Sequence, residues 1–195
     1  MSSPFIEAME VLHTEAQKGD LTLRRIVDLL GEEAHIILIL LFSLPYMLPV
    51  SIPGLSTPAG LLISLLAIML FLKRPTWIPK RYENIAIGAR TVSKISTLAE
   101  RMWIKISGVV KERWLTLHDN SFFRSLNLIV FVLNAILLAL PLPIPFTNTL
   151  PGIAIVLCAL GHLEHDGVFI FLSYIWTIVV CAFFSALAMG AVRFF

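Results

Sequence analysis

The chain has 195 residues, 57% of them hydrophobic and 14% charged, with 15 basic against 13 acidic side chains and a mean hydropathy of +0.86. Soluble domains carry about a quarter charged residues, so an ordinary soluble fold is excluded. The net charge of +2 says little, but its distribution says more: residues 34–72, 125–163 and 167–192 contain no Asp, Glu, Lys or Arg, and read as membrane-inserted tracts.

Residues 1–33 hold 7 acids and 3 bases. They lack the basic start and apolar core of a cleaved signal peptide, so a retained, cytoplasmic N-terminus is expected. Residues 6–30 read as an acidic surface helix.

The first tract, 34–72, is interrupted by Pro45, Pro49, Pro53, Gly54 and Pro58, which a helix interior tolerates poorly. The remaining pieces, His35 to Leu44 and Ala59 to Leu72, reach no further than roughly 23 Å. The tract is therefore a re-entrant hairpin or one span broken at its centre. Arg24 and Arg25 precede it and Lys73, Arg74, Lys80 and Arg81 follow it. All six lie on the cytoplasmic side if the tract doubles back, which favours the hairpin. Ser43, Ser51, Ser56 and Thr57 are the polar groups of the break, with Thr57 expected to cap a helix beginning at Pro58.

Residues 73–124 carry 11 bases and 4 acids, which assigns this connector to the cytoplasmic side. Residues 85–111 have helical period. Advancing 100° per residue, Lys94, Arg101 and Lys105 fall within about 60° of Arg90, while Val92, Ile95, Ala99, Met102, Trp103, Ile106, Val109 and Val110 occupy the arc from about 100° to 220°. That pattern predicts a helix in the membrane interface on anionic lipid, anchored by Trp103 with Trp77, Tyr82 and Trp114, or a helix packed on the protein itself.

The second apolar tract, 125–163, is broken by Pro141, Pro143, Pro145, Pro151 and Gly152, leaving Leu126 to Leu140 and Ile153 to Leu163 as helical pieces. Leu44 to Pro49 and Leu140 to Pro145 share the pattern L-P-x-x-x-P. Each is followed by Pro-Gly and a short apolar helix, as expected of an internal repeat. Paired broken helices mark binding centres in transporter-type folds, or are merely kinks in a packed bundle, since Pro and Gly are common in membrane helices, and an unwound backbone at membrane depth must be buried or line a wet cavity. The candidate substrate-binding set is Pro45, Pro49, Pro53, Gly54, Ser56 and Thr57 from the first break. From the second it is Pro141, Pro145, Thr147, Asn148, Pro151 and Gly152. Helix N-termini there would favour anions or polar groups, although the hydroxyls could equally serve only as caps. Asn127 and Asn134, seven apart, suit helix-to-helix contacts.

His162, Glu164, His165 and Asp166 sit between Gly161 and Gly167. Three readings are open: a metal site, a proton relay or polar anchor, and a plain interfacial turn before the last span. Val168 to Val192 is 25 residues, about 37 Å of helix, and is read as the one full transmembrane helix. Cys158 and Cys181 lie in apolar tracts, so no disulfide framework is implied. There is no phosphate-binding loop, nucleophile elbow or H-E-x-x-H. No enzyme activity, cofactor, bound metal or nucleic-acid partner is expected.

The expected architecture is an all-α integral membrane protein of a single domain. Its parts are an N-terminal amphipathic segment (1–33), a first broken hairpin (34–72), a basic amphipathic connector (73–124), a second broken hairpin (125–163) and a transmembrane helix (168–194). So few helices suggest a homodimer.

Several motifs, in this order, resemble the ExoD family of bacterial membrane proteins, named for a role in exopolysaccharide synthesis. They are Gly31-Glu32 before an apolar helix, L-P-x-x-x-P with Pro53-Gly54, Arg74-Pro75-Thr76-Trp77-Ile78-Pro79, the second Pro-rich break, and Asp166-Gly167 before the last span. The resemblance runs from about Leu21 to Phe195. It departs at Trp103 to Trp114, which has no proline where the family pattern is rich in Arg and Pro. The resemblance implies an inner-membrane, multi-pass protein linked to polysaccharide synthesis or export, with membrane lipids and polysaccharide-assembly proteins as partners. Three function classes stand: from the repeat, a small transporter with a mid-membrane polar or anion site; from the charge pattern, a non-transporting accessory protein that binds lipid or a partner through Arg90, Lys94, Arg101, Trp103 and Lys105; and, least favoured, a membrane enzyme acting on a lipid-linked sugar through His162, Glu164, His165 and Asp166.

Overall fold

The computed structural model describes residues 4–47, 55–74, 80–106, 108, 120–142 and 144–194. Its helices are α1 (Pro4–Ala16), α2 (Leu23–Leu30), α3 (Ala34–Ser43), α4 (Ser56–Phe71), α5 (Lys80–Glu83), α6 (Ala89–Ile106), α7 (Ser121–Ala139), α8 (Thr149–Leu163) and α9 (Gly167–Phe194). Short 3-10 turns at Gly31–Glu33 and Leu44–Met47 flank α3. A two-residue ribbon pairs β1 (Leu21–Thr22) antiparallel with β2 (Ala86–Ile87).

The acidic N-terminal segment is two helices rather than the one expected. Gly19, at φ +145°, turns the chain after α1 in a conformation that favours glycine. Thr22 then caps α2, its Oγ1 accepting from the Arg25 amide at 3.2 Å. Asp20 Oδ1 accepts from the Ala89 amide at 2.8 Å, so the ribbon fastens the start of α6 to this segment. Beside it, the Lys18 ammonium hydrogen-bonded to Glu15 holds that carboxyl below its ordinary range, with Arg25 adding to the effect.

The amphipathic connector helix α6 does not lie alone. It packs on α1, where Val92 and Ser96 are buried with Ala8, Met9, Leu12 and Ala16. One edge of its expected apolar arc is thereby covered by protein.

The two interrupted tracts form antiparallel pairs, and the pairs close into a ring: α3 packs on α4, α4 on α7, α7 on α8, and α8 on α3. The directions follow from particular contacts. Thr57, at the start of α4, reaches Ala139 at the end of α7, whereas Phe71 at the end of α4 accepts from the Arg124 guanidinium near the start of α7. The Phe71 ring also lies 5.4 Å from that of His162 near the end of α8. Hence α4 and α8 run the same way and α7 the other; Tyr46, just after α3, lies against Gly152 near the start of α8, so α3 runs with α7, and the described residues flanking both breaks stand at one end of the ring.

The second tract departs from expectation in length. Asn120 caps α7, its side chain accepting from the Phe122 amide at 2.9 Å, so the helix opens five residues before Leu126 and holds 19 residues, about 28 Å. Among the described residues α7 and α9, rather than α9 alone, are long and apolar enough to cross a membrane by length and composition. Helix α8 is the centre, with 11 of its 15 residues buried between α3, α7 and α9. On the outside, Leu61, Ile129 and Ile178 are 61%, 58% and 69% exposed. An exterior apolar to that degree suits lipid rather than water.

Candidate functional site at the helix breaks

Helix α4 begins at Ser56, with Leu55 in the capping position and no side-chain cap. Thr57 is therefore not the expected N-cap of a helix starting at Pro58. Its Oγ1 instead donates across the ring to the Ala139 carbonyl at 2.8 Å. A helix end in an apolar setting leaves carbonyls without partners, and Thr57 satisfies one belonging to a different helix. Helix α8 opens in the same way at Thr149, after Asn148, again with no side-chain cap.

The other break hydroxyls also turn to nearby carbonyls. Ser43 Oγ donates to Leu40 O at 2.9 Å, and Thr147 Oγ1 is 2.7 Å from Ile144 O and 3.3 Å from Leu142 O. Ser43, Ser56, Thr147 and Asn148 are buried, and Pro151 is fully so, whereas Pro45, Pro141 and Pro145 are exposed. Gly152 is buried because Tyr46, which follows α3, lies against it; a Cβ at Gly152 would stand 3.0 Å from Tyr46 Cβ. Pro49, Pro53 and Gly54 lie outside the described residues, as do the Pro75 to Pro79 motif, Ser51 and Trp114.

Thr57 and Gly152 of the predicted set each meet a helix end or turn outside that set. Thr57 and Gly60 of α4 meet the end of α7, and Gly152 of α8 meets the turn after α3. A further contact ties the second break to α9. Trp176 Nε1 donates to the Leu150 carbonyl at 3.0 Å, so the second break lies level with the tenth residue of the 28-residue α9, about 15 Å along it.

A polar seam at the α7–α9 contact carries the two asparagines. Tyr174 Oη donates to Asn127 Oδ1 at 2.5 Å, and Asn134 Nδ2 donates to Thr177 Oγ1 at 2.9 Å. This is the helix-to-helix role expected of them. The partner residues were not singled out in the sequence; their spacing of three along the last span was the available signal.

The four polar residues before α9 take different places in the turn, with Glu164 as the C-cap of α8, its amide donating to Leu160 O at 3.1 Å. His162 lies in α8 against Phe71, and His165 takes φ +53° in the turn. Asp166 is fully buried and is the N-cap of α9, its Oδ1 accepting from the Val168 amide at 2.9 Å. Among the described residues no group of three His, Cys, Asp or Glu could hold a metal. The Asp166 geometry makes a discriminating prediction. Asp166→Asn should keep the cap, stability and activity, whereas Asp166→Ala should lose about 1–2 kcal/mol in thermal unfolding. Loss of activity in a stable Asp166→Asn protein would instead point to proton transfer. On the basic helix, Arg90, Lys94 and Arg101 are exposed, and the side chains of Trp103 and Lys105 lie outside the described residues.

Comparison with known proteins bears on this arrangement. The family model described as "Exopolysaccharide synthesis, ExoD" matches residues 6–186. The chain is 32% identical over 172 residues to Protein ExoD of Rhizobium meliloti, covering 88% of this chain and 72% of that protein. It is 27% identical over 176 residues to an uncharacterized protein of Synechocystis, covering 89% and 82% respectively. No solved structure gives a significant match.

Proposed function

This chain belongs to the ExoD family, and from that premise we propose that it is an inner-membrane, multi-pass protein of exopolysaccharide synthesis or export, transporter-like in architecture, in which two re-entrant hairpins shape a polar or anion site at mid-depth. The basic connector then faces the cytoplasm, and the protein itself performs no covalent chemistry.

The observation that carries this reading is the level of the second break against α9. A helix of 28 residues is about 42 Å long and exceeds the roughly 30 Å hydrocarbon core. A break joined to its tenth residue lies near the midplane rather than at the far surface. The ring supports a repeat as well. Under the correspondence α3 to α7 and α4 to α8, the α4–α7 contact exchanges with the α8–α3 contact. In both, a Thr-x-x-Gly start, Thr57 to Gly60 or Thr149 to Gly152, packs at the far end of the other hairpin's first helix. Because corresponding helices run parallel, the relating axis lies along the bundle, the arrangement of parallel transporter repeats.

A second reading, the accessory protein, is favoured by the use of the Ser43, Thr57 and Thr147 hydroxyls on backbone carbonyls, which leaves them less available to a solute. Single cysteines at Leu55 and Phe146, both exposed at the breaks, separate the two in a background lacking Cys158 and Cys181. Labelling by a membrane-impermeant maleimide in sealed vesicles is the expected result. If only a lipid-soluble maleimide reacts, the mid-depth site is lost and the accessory reading takes its place.

A further inference from the structure

We propose that the α1–α6 pair is a two-faced docking element through which copies of this chain associate, the acidic outer face of α1 on one copy receiving the basic outer face of α6 on the next. The two helices pack together, with Ala8, Met9, Leu12 and Ala16 buried on α1 and Val92 and Ser96 buried on α6. His13 Nδ1 and Ser93 Oγ lie 3.3 Å apart across the contact. At 100° per residue the remaining faces point outward in opposite directions. Glu7, Glu10, Val11 and Thr14 are exposed on α1, and Arg90, Lys94 and Arg101 on α6.

The charges therefore match in sign but face away from each other within one copy. The same opposition holds for the segments, since residues 1–33 carry 7 acids to 3 bases and residues 73–124 carry 11 bases to 4 acids. Between α1 and α2 lies a groove of about 510 Å³, lined by Glu7, Glu10, Val11, Thr14, Glu15 and Leu29. Val11, 42% exposed, adds apolar surface among these carboxylates. That is the profile to take a helix that presents bases beside aliphatic stems, and a second copy's α6 is such a helix.

The contact is heterologous, because the two faces lie on opposite sides of the pair. A two-fold dimer, as expected from the small number of helices, would bring like faces together. Copies that share one membrane orientation instead form a ring of three or more, or a row.

The test uses the full-length protein in mild detergent and in native membranes. Copies with natural and heavy nitrogen are mixed and treated with a zero-length carbodiimide, which joins carboxylates to amines in direct contact. Mixed-isotope links from Glu7 or Glu10 to Lys94 are expected, and they should weaken at least about tenfold from low to about 0.5 M salt as exposed charges are screened. Glu7→Lys with Glu10→Lys should abolish association, as should Arg90→Glu with Lys94→Glu. All four changes in one chain should restore it. Circular dichroism of each variant separates lost association from lost folding. Association indifferent to both reversals overturns the proposal, and so does an effect of the α1 reversal alone, which would mean a basic partner of another kind. Release of only the α6 variant from anionic vesicles, with association intact, assigns that face to lipid and overturns it as well.

Discussion

Leucine in place of Gly60 is expected to lower the stability of the detergent-solubilised protein by about 3 kcal/mol or more, read as a drop in the denaturant midpoint. A Cβ there would overlap the Ala135 carbonyl and stand 2.9 Å from both the Cβ and the amide of Ala139. These obstacles belong to the α7 backbone or are attached directly to it, so no side chain can swing aside and α4 itself has to move. Its displacement also removes the 2.8 Å bond from Thr57 to Ala139, worth about 1 kcal/mol. Small residues are what allow two membrane helices to approach this closely without a hydrophobic driving force between them. Gly190→Ala is the control. Nothing lies within 4 Å of a Cβ at that position, and alanine should leave stability unchanged or raise it by up to about 1 kcal/mol through helix propensity. Equal midpoints for Gly60→Leu and the unmodified chain would show that the α4–α7 crossing does not depend on close approach.

Alanine in place of Gly161 is the second large effect, about 2–3 kcal/mol, and it acts on the α8–α9 turn. The added Cβ would stand 2.7 Å from the Ile170 amide and Cγ1 and 2.9 Å from the Asp166 carbonyl. The turn has little slack. The Asp166 amide donates to Gly161 O at 2.9 Å, and His165 holds φ +53°. Relieving the clash pushes the start of α9 away from α8, which weakens the Asp166 cap and the packing of Ile170 together. Faster amide exchange in both helices, with α4 little changed, should accompany the lower melting temperature. Wild-type exchange in α8 and α9 would sink this account of the turn.

The apolar tracts, their breaks and the last span were legible because lipid-facing helices need long charge-free runs and because proline interrupts them. Element ends were less so. Helix α7 extends back to Ser121, past Arg124, since that guanidinium reaches the Phe71 carbonyl; a charge in the sequence did not reveal that it had a partner 53 residues away. Thr57 had the composition of a cap, but the Ala139 carbonyl was the acceptor available to it, and that carbonyl belongs to the other tract. The pairing of α1 with α6 and the Leu21 to Ile87 ribbon contact are also long-range, set by which faces remain uncovered once the hairpins form. Local period gave the faces of each helix, and it could not give their partners.

Helix α3 stands between α4 and α8, and this has a kinetic consequence. The first wall is made immediately after it, but α8 begins at Thr149, 78 residues beyond Phe71. At roughly 5–20 residues per second, synthesis leaves the first hairpin with one wall for about 4–16 s. During that interval Ile36, Ile37, Ile39 and Leu40, all buried in the finished protein, have fewer neighbours than they will eventually hold. Assembly therefore waits on the second hairpin, and the first is the segment most open to capture by a chaperone or by another nascent chain.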